Sequence, residues 1–295
     1  MKILILGAAA GGGLPQWNCG CRNCNDARAG RIPASSQSSI AVSADGTCWS
    51  VLNASPDIRA QLAASPALHP TGLRDTPLAS VLLTNGDIDH IAGLLSLRER
   101  TPFTLCATAD ILGLLSGNRI FDALAPDAVT RRPIALNQPF DLQPGLSATL
   151  FPVPGKVPLF MEGETVQTDL VGEQTVGVQL SDGQRSAVYI PGCAAIGPAL
   201  LNRIAGAGLL LFDGTLWDDD EMIRTATGTK TGRRMGHVPI TGPEGSLALL
   251  SGVTARKAYI HINNTNPIWQ PDSPERAAVL AAGWDIAADG REFTP

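Results

Sequence analysis

Two short stretches of this chain concentrate residue types that bind metal ions or move protons. One is the polar hexad Asn85-Gly86-Asp87-Ile88-Asp89-His90, which follows the apolar run Ser80-Val81-Leu82-Leu83. There Asp89 and His90 are adjacent, and a carboxylate beside an imidazole at a strand end is a donor pair for a divalent cation. The other is Asn18-Cys19-Gly20-Cys21-Arg22-Asn23-Cys24. Three thiolates in a C-x-C-x-x-C spacing converge on one tetrahedral ion if the backbone turns between them, and Gly20 eases that turn. In a reducing compartment a metal is a better reading than a disulfide. The spacing therefore predicts a structural Zn(II) on Cys19, Cys21 and Cys24, stapling the loop after the first strand; three buried or redox-labile thiols are the alternative. No fourth ligand lies in the cluster, and His261-Ile262-Asn263-Asn264 is the candidate region.

The chain has four histidines. His90 has Asp89 beside it, which favours a metal role. His261 ends the apolar run Ala258-Tyr259-Ile260 and opens an Asn-rich turn. His237 sits in the glycine-flanked loop Met235-Gly236-His237-Val238-Pro239, where a ligand and a satisfied polar residue are equally good readings. His69 precedes Pro70 and is expected to face solvent. Gly7–Gly13 follows a strand but lacks G-x-G-x-x-G and leads into the cysteine loop, so it is not read as a dinucleotide-binding turn. Gly228–Gly232 lacks P-loop spacing, and the acidic run Asp218–Glu221 reads as a solvated face.

The elements that must hold these residues are short. Apolar runs punctuated by Gly, Pro and Asp predict strands at 2–6, 38–43, 48–53, 79–84, 102–106, 147–152, 175–180, 186–190, 208–212 and 257–261. Helices are predicted at 56–64, 91–99, 109–115, 196–204, 243–250 and 274–282. Strand meanders with helical segments in each half predict two sheets face to face with helices outside. There is no internal repeat. The stretch 154–172 is expected to be a loop over the site, and 216–236 a loop or partly helical.

With 295 residues, 44% hydrophobic and 17% charged, the chain can bury a sizeable core. A net charge of −5 argues against a broad nucleic-acid face. No stretch approaches the roughly 20 apolar residues of a membrane span, and the N-terminal MKILILGAAAGGG does not read as a signal peptide, since Lys2–Leu6 reads better as a buried first strand. A single soluble, cytoplasmic domain over 1–295 is expected. Cys48, Cys106 and Cys193 lie singly in apolar surroundings and are read as packed thiols.

The strings LGAAAGGGLPQWNCGCRNC (6–24), NASPDIR (53–59), TNGDIDHIAGLLSLRE (84–99), LLFDGT (210–215), MGHVPI (235–240) and HINNTNPI (261–268) run the length of the chain. In them the sequence resembles the pyrroloquinoline quinone biosynthesis protein B family (PqqB) of the metallo-β-lactamase superfamily. The resemblance implies an αββα sandwich of two mixed sheets. It also implies that residues 85–90 occupy the superfamily's HxHxDH frame. Asp89 and His90 match its retained half, Asn85 and Asp87 stand where histidines are usual, and His261 matches the last metal-binding histidine. The turn Ile190-Pro191-Gly192-Cys193 lacks the usual bridging carboxylate. Asp213 matches the next acidic position, and His237 the loop histidine that works with it. One active-site metal is therefore expected, held by Asp89, His90 and His261.

Two imidazoles and a carboxylate leave coordination positions open, which suits Fe(II), with Zn(II) as the alternative. The implied reaction is iron- and O2-dependent hydroxylation of a tyrosine ring in a Glu–Tyr-derived precursor of pyrroloquinoline quinone (PQQ). His237 and Asp213 would act as acid/base or hydrogen-bonding groups, and Asp87 as an extra ligand or as the group that orients His90. Arg59, Arg233 or Arg234 would clamp a carboxylate. The rivals are a carrier or export protein for PQQ or its precursor, and a zinc hydrolase acting on the precursor peptide. The expected partner is a small molecule or dipeptide, without nucleic acid or membrane insertion; a homodimer is left open.

Overall fold

The computed structural model describes residues 1–295, and its first strand shows why the chain stacks in layers. Along β1 (Lys2–Gly7), Ile3 and Ile5 enter one buried cluster while Leu4 and Leu6 enter another on the opposite face. A strand apolar on both faces must be covered on both. Next to it come β2 (Ser39–Ser43), β3 (Trp49–Leu52), β4 (Leu78–Leu82), β5 (Phe103–Ala107) and β6 (Val129–Pro133), side by side in that order. Pairing is antiparallel from β1 to β3 and parallel from β3 to β6.

The second sheet follows the same plan. It runs through β7 (Pro139–Gln143), β8 (Leu146–Pro152), β9 (Val176–Ser181), β10 (Ser186–Ile190), β11 (Leu209–Asp213), β12 (Arg256–Ile260) and β13 (Trp284–Ile286). Here pairing is antiparallel from β7 to β10 and parallel from β10 to β13. The short β14 (Glu292–Phe293) returns to the edge of the first sheet beside β1.

Helices α1 (Arg22–Arg28), α2 (Ile58–Ala64), α3 (Ile88–Ile91) and α4 (Ala109–Ser116) belong to the first half of the chain. In the second half lie α5 (Pro198–Ile204), α6 (Glu221–Arg224), α7 (Gly232–Met235), α8 (Ser246–Leu249) and α9 (Pro274–Ala281). Ile58 of α2 and Ile111 and Leu115 of α4 cover the outer face of the first sheet. Leu200 and Ile204 of α5 and Val279 of α9 join the core of the second. The result is the expected αββα arrangement, and no helix is long and apolar enough to cross a membrane.

All ten predicted strands are present, and four others were not foreseen. β6 reads VTRRP and β7 reads PFDLQ, too polar to register as apolar runs; β13 and β14 have only three and two residues. The helix expected at 91–99 begins earlier, at Ile88, and continues as 3-10 turns over Ala92–Leu97. Asp87 O accepts from His90 N at 2.9 Å and Ile91 N at 3.1 Å, which closes this one-turn helix around Asp89 and His90. Its position is set by Gly93, whose missing Cβ would fall 2.0 Å from the Ser55 carbonyl oxygen. The segment at 243–250 is helical only over Ser246–Leu249.

Candidate metal centres

Parallel strands deliver side chains at their carboxyl ends, and here both sheets do so at one end of the sandwich. The loop after β4 brings Asn85–His90, β11 ends in Asp213, and β12 leads directly into His261. His261 has φ +58°, a left-handed conformation that costs a residue with a Cβ about 1 kcal/mol or more and persists only where its surroundings enforce it. They do: its carbonyl accepts from Thr215 Oγ1 at 2.9 Å, and the next residue, Ile262, donates its N–H to Ala8 O and accepts from Ala10 N.

The ring nitrogens are assigned by what they face. Asn85 Oδ1 accepts the Asp87 N–H at 3.0 Å, which identifies that atom as the amide oxygen. His90 Nδ1 lies 2.7 Å from the same oxygen, so Nδ1 carries the proton and Nε2 presents a lone pair. His90 Nε2 is buried without a hydrogen-bond partner. Such an orphan is costly unless something binds it, and a cation fits.

His261 Nδ1 is 2.8 Å from Thr215 Oγ1, and its Nε2 is 3.1 Å from Asp89 Oδ2. Two ligands about 2.1 Å from one ion at right angles would sit about 3 Å apart. The donor atoms of Asp89, His90 and His261 all lie within 4.8 Å of one another, and the two rings meet edge to face with centroids 5.3 Å apart. Burial disfavours the charged form of His90 and pushes its pKa down to about 4, which keeps the imidazole a neutral donor. For Asp89 burial works the other way, but the neighbouring His90 and His261 hold its carboxyl well below the usual range.

A second group, Asp213, His237 and His261, also has its donor atoms within 4.8 Å. Its atoms are spoken for. Asp213 Oδ2 takes His237 Nδ1 at 2.7 Å and Cys193 N at 2.9 Å, and its Oδ1 takes Thr215 N and Thr215 Oγ1. With His261 Nδ1 given to Thr215, Nε2 is its one free nitrogen, and that serves the Asp89 set. Asp213 and His237 thus form a dyad beside the donor set, the rings of His237 and His261 stacked with centroids 5.2 Å apart. Although burial opposes it, Asp213 is held ionised by His237.

Asp89, His90, Thr215, His237 and His261 line one cavity of about 320 Å³, with Asp213 buried behind it. Its walls include Leu159, Phe160, Met222 and Met235, with Lys156, Glu162 and Lys230 among its polar members. The 154–172 loop therefore does lie over the site, and 216–236 contributes α6, α7 and part of the wall.

The cysteines lie elsewhere. Cys19, Cys21 and Cys24 have their sulfurs within 4.8 Å of one another. Cys21 caps α1, accepting from Cys24 N at 3.5 Å, while Gln16 N donates to Cys24 Sγ and Cys21 N to Cys19 Sγ. Burial works against a Cys19 thiolate, but the Cys21 N–H and the neighbouring side chains bring that thiol below its usual range, whereas burial pushes the Cys21 thiol up to about 12. The Asn264 side-chain amide sits 3.2, 3.6 and 3.3 Å from Cys19, Cys21 and Cys24 Sγ. It does so through Nδ2, which donates to all three sulfurs, so from the His261–Asn264 loop it is the Asn264 side chain that meets the cluster.

Other expectations are corrected. Asp87 does not orient His90, because Asn85 occupies that place, and Asp87 enters neither donor group. Its carboxyl lines the cavity, its pKa raised by burial and by the charge of Asp89. Arg59 is exposed on α2 and lines no part of the cavity; Arg233 turns to Glu244 at 2.7 Å; Arg234 alone reaches the site's edge, bound to Glu162. The run 218–221 is not all solvated: Glu221 is buried, accepting from Trp217 N and Thr265 Oγ1. His69 is exposed, as expected. The sequence reading missed Thr215, whose hydroxyl joins His261, His237 and Asp213, and the lysines Lys156 and Lys230. Thr215 sits in the quoted string LLFDGT, but a threonine carries no metal signal of its own.

Comparison with known proteins places the chain in the same fold. Residues 48–262 match the sequence model of the Beta-lactamase superfamily domain. Coenzyme PQQ synthesis protein B of Ruegeria pomeroyi is 69% identical over 99% of this chain and 99% of its own length. The protein of the same name from Methylobacterium radiotolerans is 55% identical, over 98% of each chain. The crystal structure of Zn(2+)-bound PqqB from Methylobacterium extorquens superposes with a TM-score of 0.98 at 54% identity, covering 100% of both chains. A diphosphatase of the PhnP family, at 20% identity and a TM-score of 0.70, covers 100% of this chain and 97% of its own and shares the fold.

Proposed function

The chain belongs to the coenzyme PQQ synthesis protein B family, within the beta-lactamase superfamily, and from that membership we propose that it acts in PQQ biosynthesis as a non-heme iron hydroxylase. Its substrate is a Glu–Tyr-derived precursor whose tyrosine ring gains a hydroxyl. One oxygen atom of O2 enters a ring C–H bond, the other leaves as water, and a reductant supplies two electrons.

The observation that carries this reading is the donor set. Asp89 and the Nε2 atoms of His90 and His261 face one cavity, while the position that could offer a further histidine is Asn85, already bound to His90. Asp89, His90 and His261 would hold Fe(II), which would supply the one-electron chemistry that O2 needs. The chain's own residues do the rest. Asn85 and Thr215 fix the two rings, each from its Nδ1 side. Asp213 holds His237 by Nδ1, so Nε2 is the nitrogen left to take or return a proton at the substrate. Leu159, Phe160, Met222 and Met235 give the cavity apolar walls against which an aromatic ring packs.

The zinc named for the Methylobacterium extorquens relative suits the cysteine set here by donor type, because three sulfurs select Zn(II) over Fe(II) or Mg(II). The test is metal analysis and O2 uptake with a Glu–Tyr dipeptide and a reductant. Iron-dependent uptake that yields a hydroxylated ring is expected. Bound ligand with no uptake under iron and O2 would instead mark a carrier.

A further inference from the structure

We propose that Lys230 and Arg234, braced by Glu162 and Lys156, form a carboxylate-binding subsite at the open edge of the histidine cavity. The inference rests on the substrate class proposed above, and names the groups that would recognise it.

Glu162 is the centre of the cluster. Its side chain is only 8% exposed, and three cations converge on it. Lys156 Nζ is 3.0 Å from Oε1, Arg234 Nη2 is 3.0 Å from Oε2, and Lys230 Nζ stands 3.9 Å from Oε2. Lys156 is committed: it is nearly buried, donates also to Val157 O, and feels Asp87 across the cavity. The other two are not. The Lys230 and Arg234 side chains are 41% and 37% exposed. Lys230 reaches its carboxylate only at 3.9 Å, beyond hydrogen-bond distance, and Arg234 keeps Nε after giving both Nη atoms to Glu162. Donors of one sign thus exceed the acceptors within the cluster.

The placement matches a ligand with an aromatic ring and a carboxylate. Lys156, Glu162 and Lys230 line the same cavity as Asp89, His90 and His261, and Arg234 precedes the lining residue Met235. Leu159, Phe160, Met222 and Met235 give the same cavity its apolar lining. An apolar pocket with a few convergent polar groups is the usual form of a small-molecule site. Glu162 holds the cations in place, because Lys156 comes from the 154–172 loop while Lys230 and Arg234 come from the segment around α7. Arg234 and then Lys156 keep its own acid down to about 2, so it stays an anion at any working pH.

Calorimetric binding of a Glu–Tyr dipeptide, and of the same dipeptide with both carboxylates amidated, tests this on metal-loaded protein. Lys230→Met and Arg234→Gln should each weaken the dipeptide about tenfold and leave the diamide unchanged. Melting temperature and zinc content report that the variants are folded. Equal losses for both ligands, no loss for either, or no dipeptide binding by the unaltered protein each overturn the subsite. Oxygen uptake on the same samples separates the two claims. Carboxylate-dependent binding without uptake keeps the subsite and removes the hydroxylase; uptake with unchanged affinity in both variants does the reverse.

Discussion

At the scale of single residues, Asn85 decides which nitrogen of His90 is free. Its amide oxygen accepts from His90 Nδ1 at 2.7 Å, which leaves Nε2 for an ion. Removing a group that orients a metal-bound histidine typically costs 10–100-fold in metal affinity. Asn85→Ala is therefore expected to weaken metal binding at Asp89, His90 and His261 by about that factor, read by competition with a chelator; an unchanged affinity would remove the role. His90→Ala and His261→Ala should abolish hydroxylation while zinc stays on the cysteines, and full turnover in either would show the donor set to be wrong. The ligand-type residues were legible in the sequence because Asp, His and Cys announce themselves by type and spacing. Asn85 was legible only as a missing histidine, and Thr215 not at all. What each does depends on the partners the fold turns toward it, His90 for Asn85 and Asp213, His237 and His261 for Thr215.

At the scale of elements, α1 exists because of the cysteines. Its sequence, RNCNDAR, has no apolar periodicity and gave no helical signal. Cys21 caps it, and Asn23 on its first turn donates to Asn264 O and Asn266 O at 2.9 Å, docking it on the C-terminal loop. Cys21→Ser should remove about one zinc per chain and lower the melting temperature, because metal binding free energy is folding free energy. Unchanged zinc content by elemental analysis would contradict the site. Strands with apolar cores were legible throughout. α3 was misplaced at its start because its closing bonds come from the Asp87 carbonyl, a backbone feature without a side-chain signature.

At the scale of the whole molecule, the site exists only when both sheets are docked, since β4 supplies Asn85–His90 and β11 and β12 supply Asp213 and His261. Buried groups near that end therefore report on folding. Burial raises the acid of Glu221 from 4.5 to about 7, although Thr265 and Trp217 donate to it. A raised carboxyl contributes stability that is fully present below its unfolded value and lost as pH climbs through about 7. The melting temperature of Glu221→Gln minus that of the unaltered protein should accordingly rise between pH 5 and pH 8. A flat or falling difference would show that the acid is ionised throughout. The one loop that carries both His261 and Asn264 has a different consequence. It ties the two donor groups into one length of chain, so a change at the sulfurs should be felt at the histidines: Cys21→Ser is expected to weaken metal binding at Asp89, His90 and His261 as well, and an unchanged affinity there would show that the two ends of the loop answer separately.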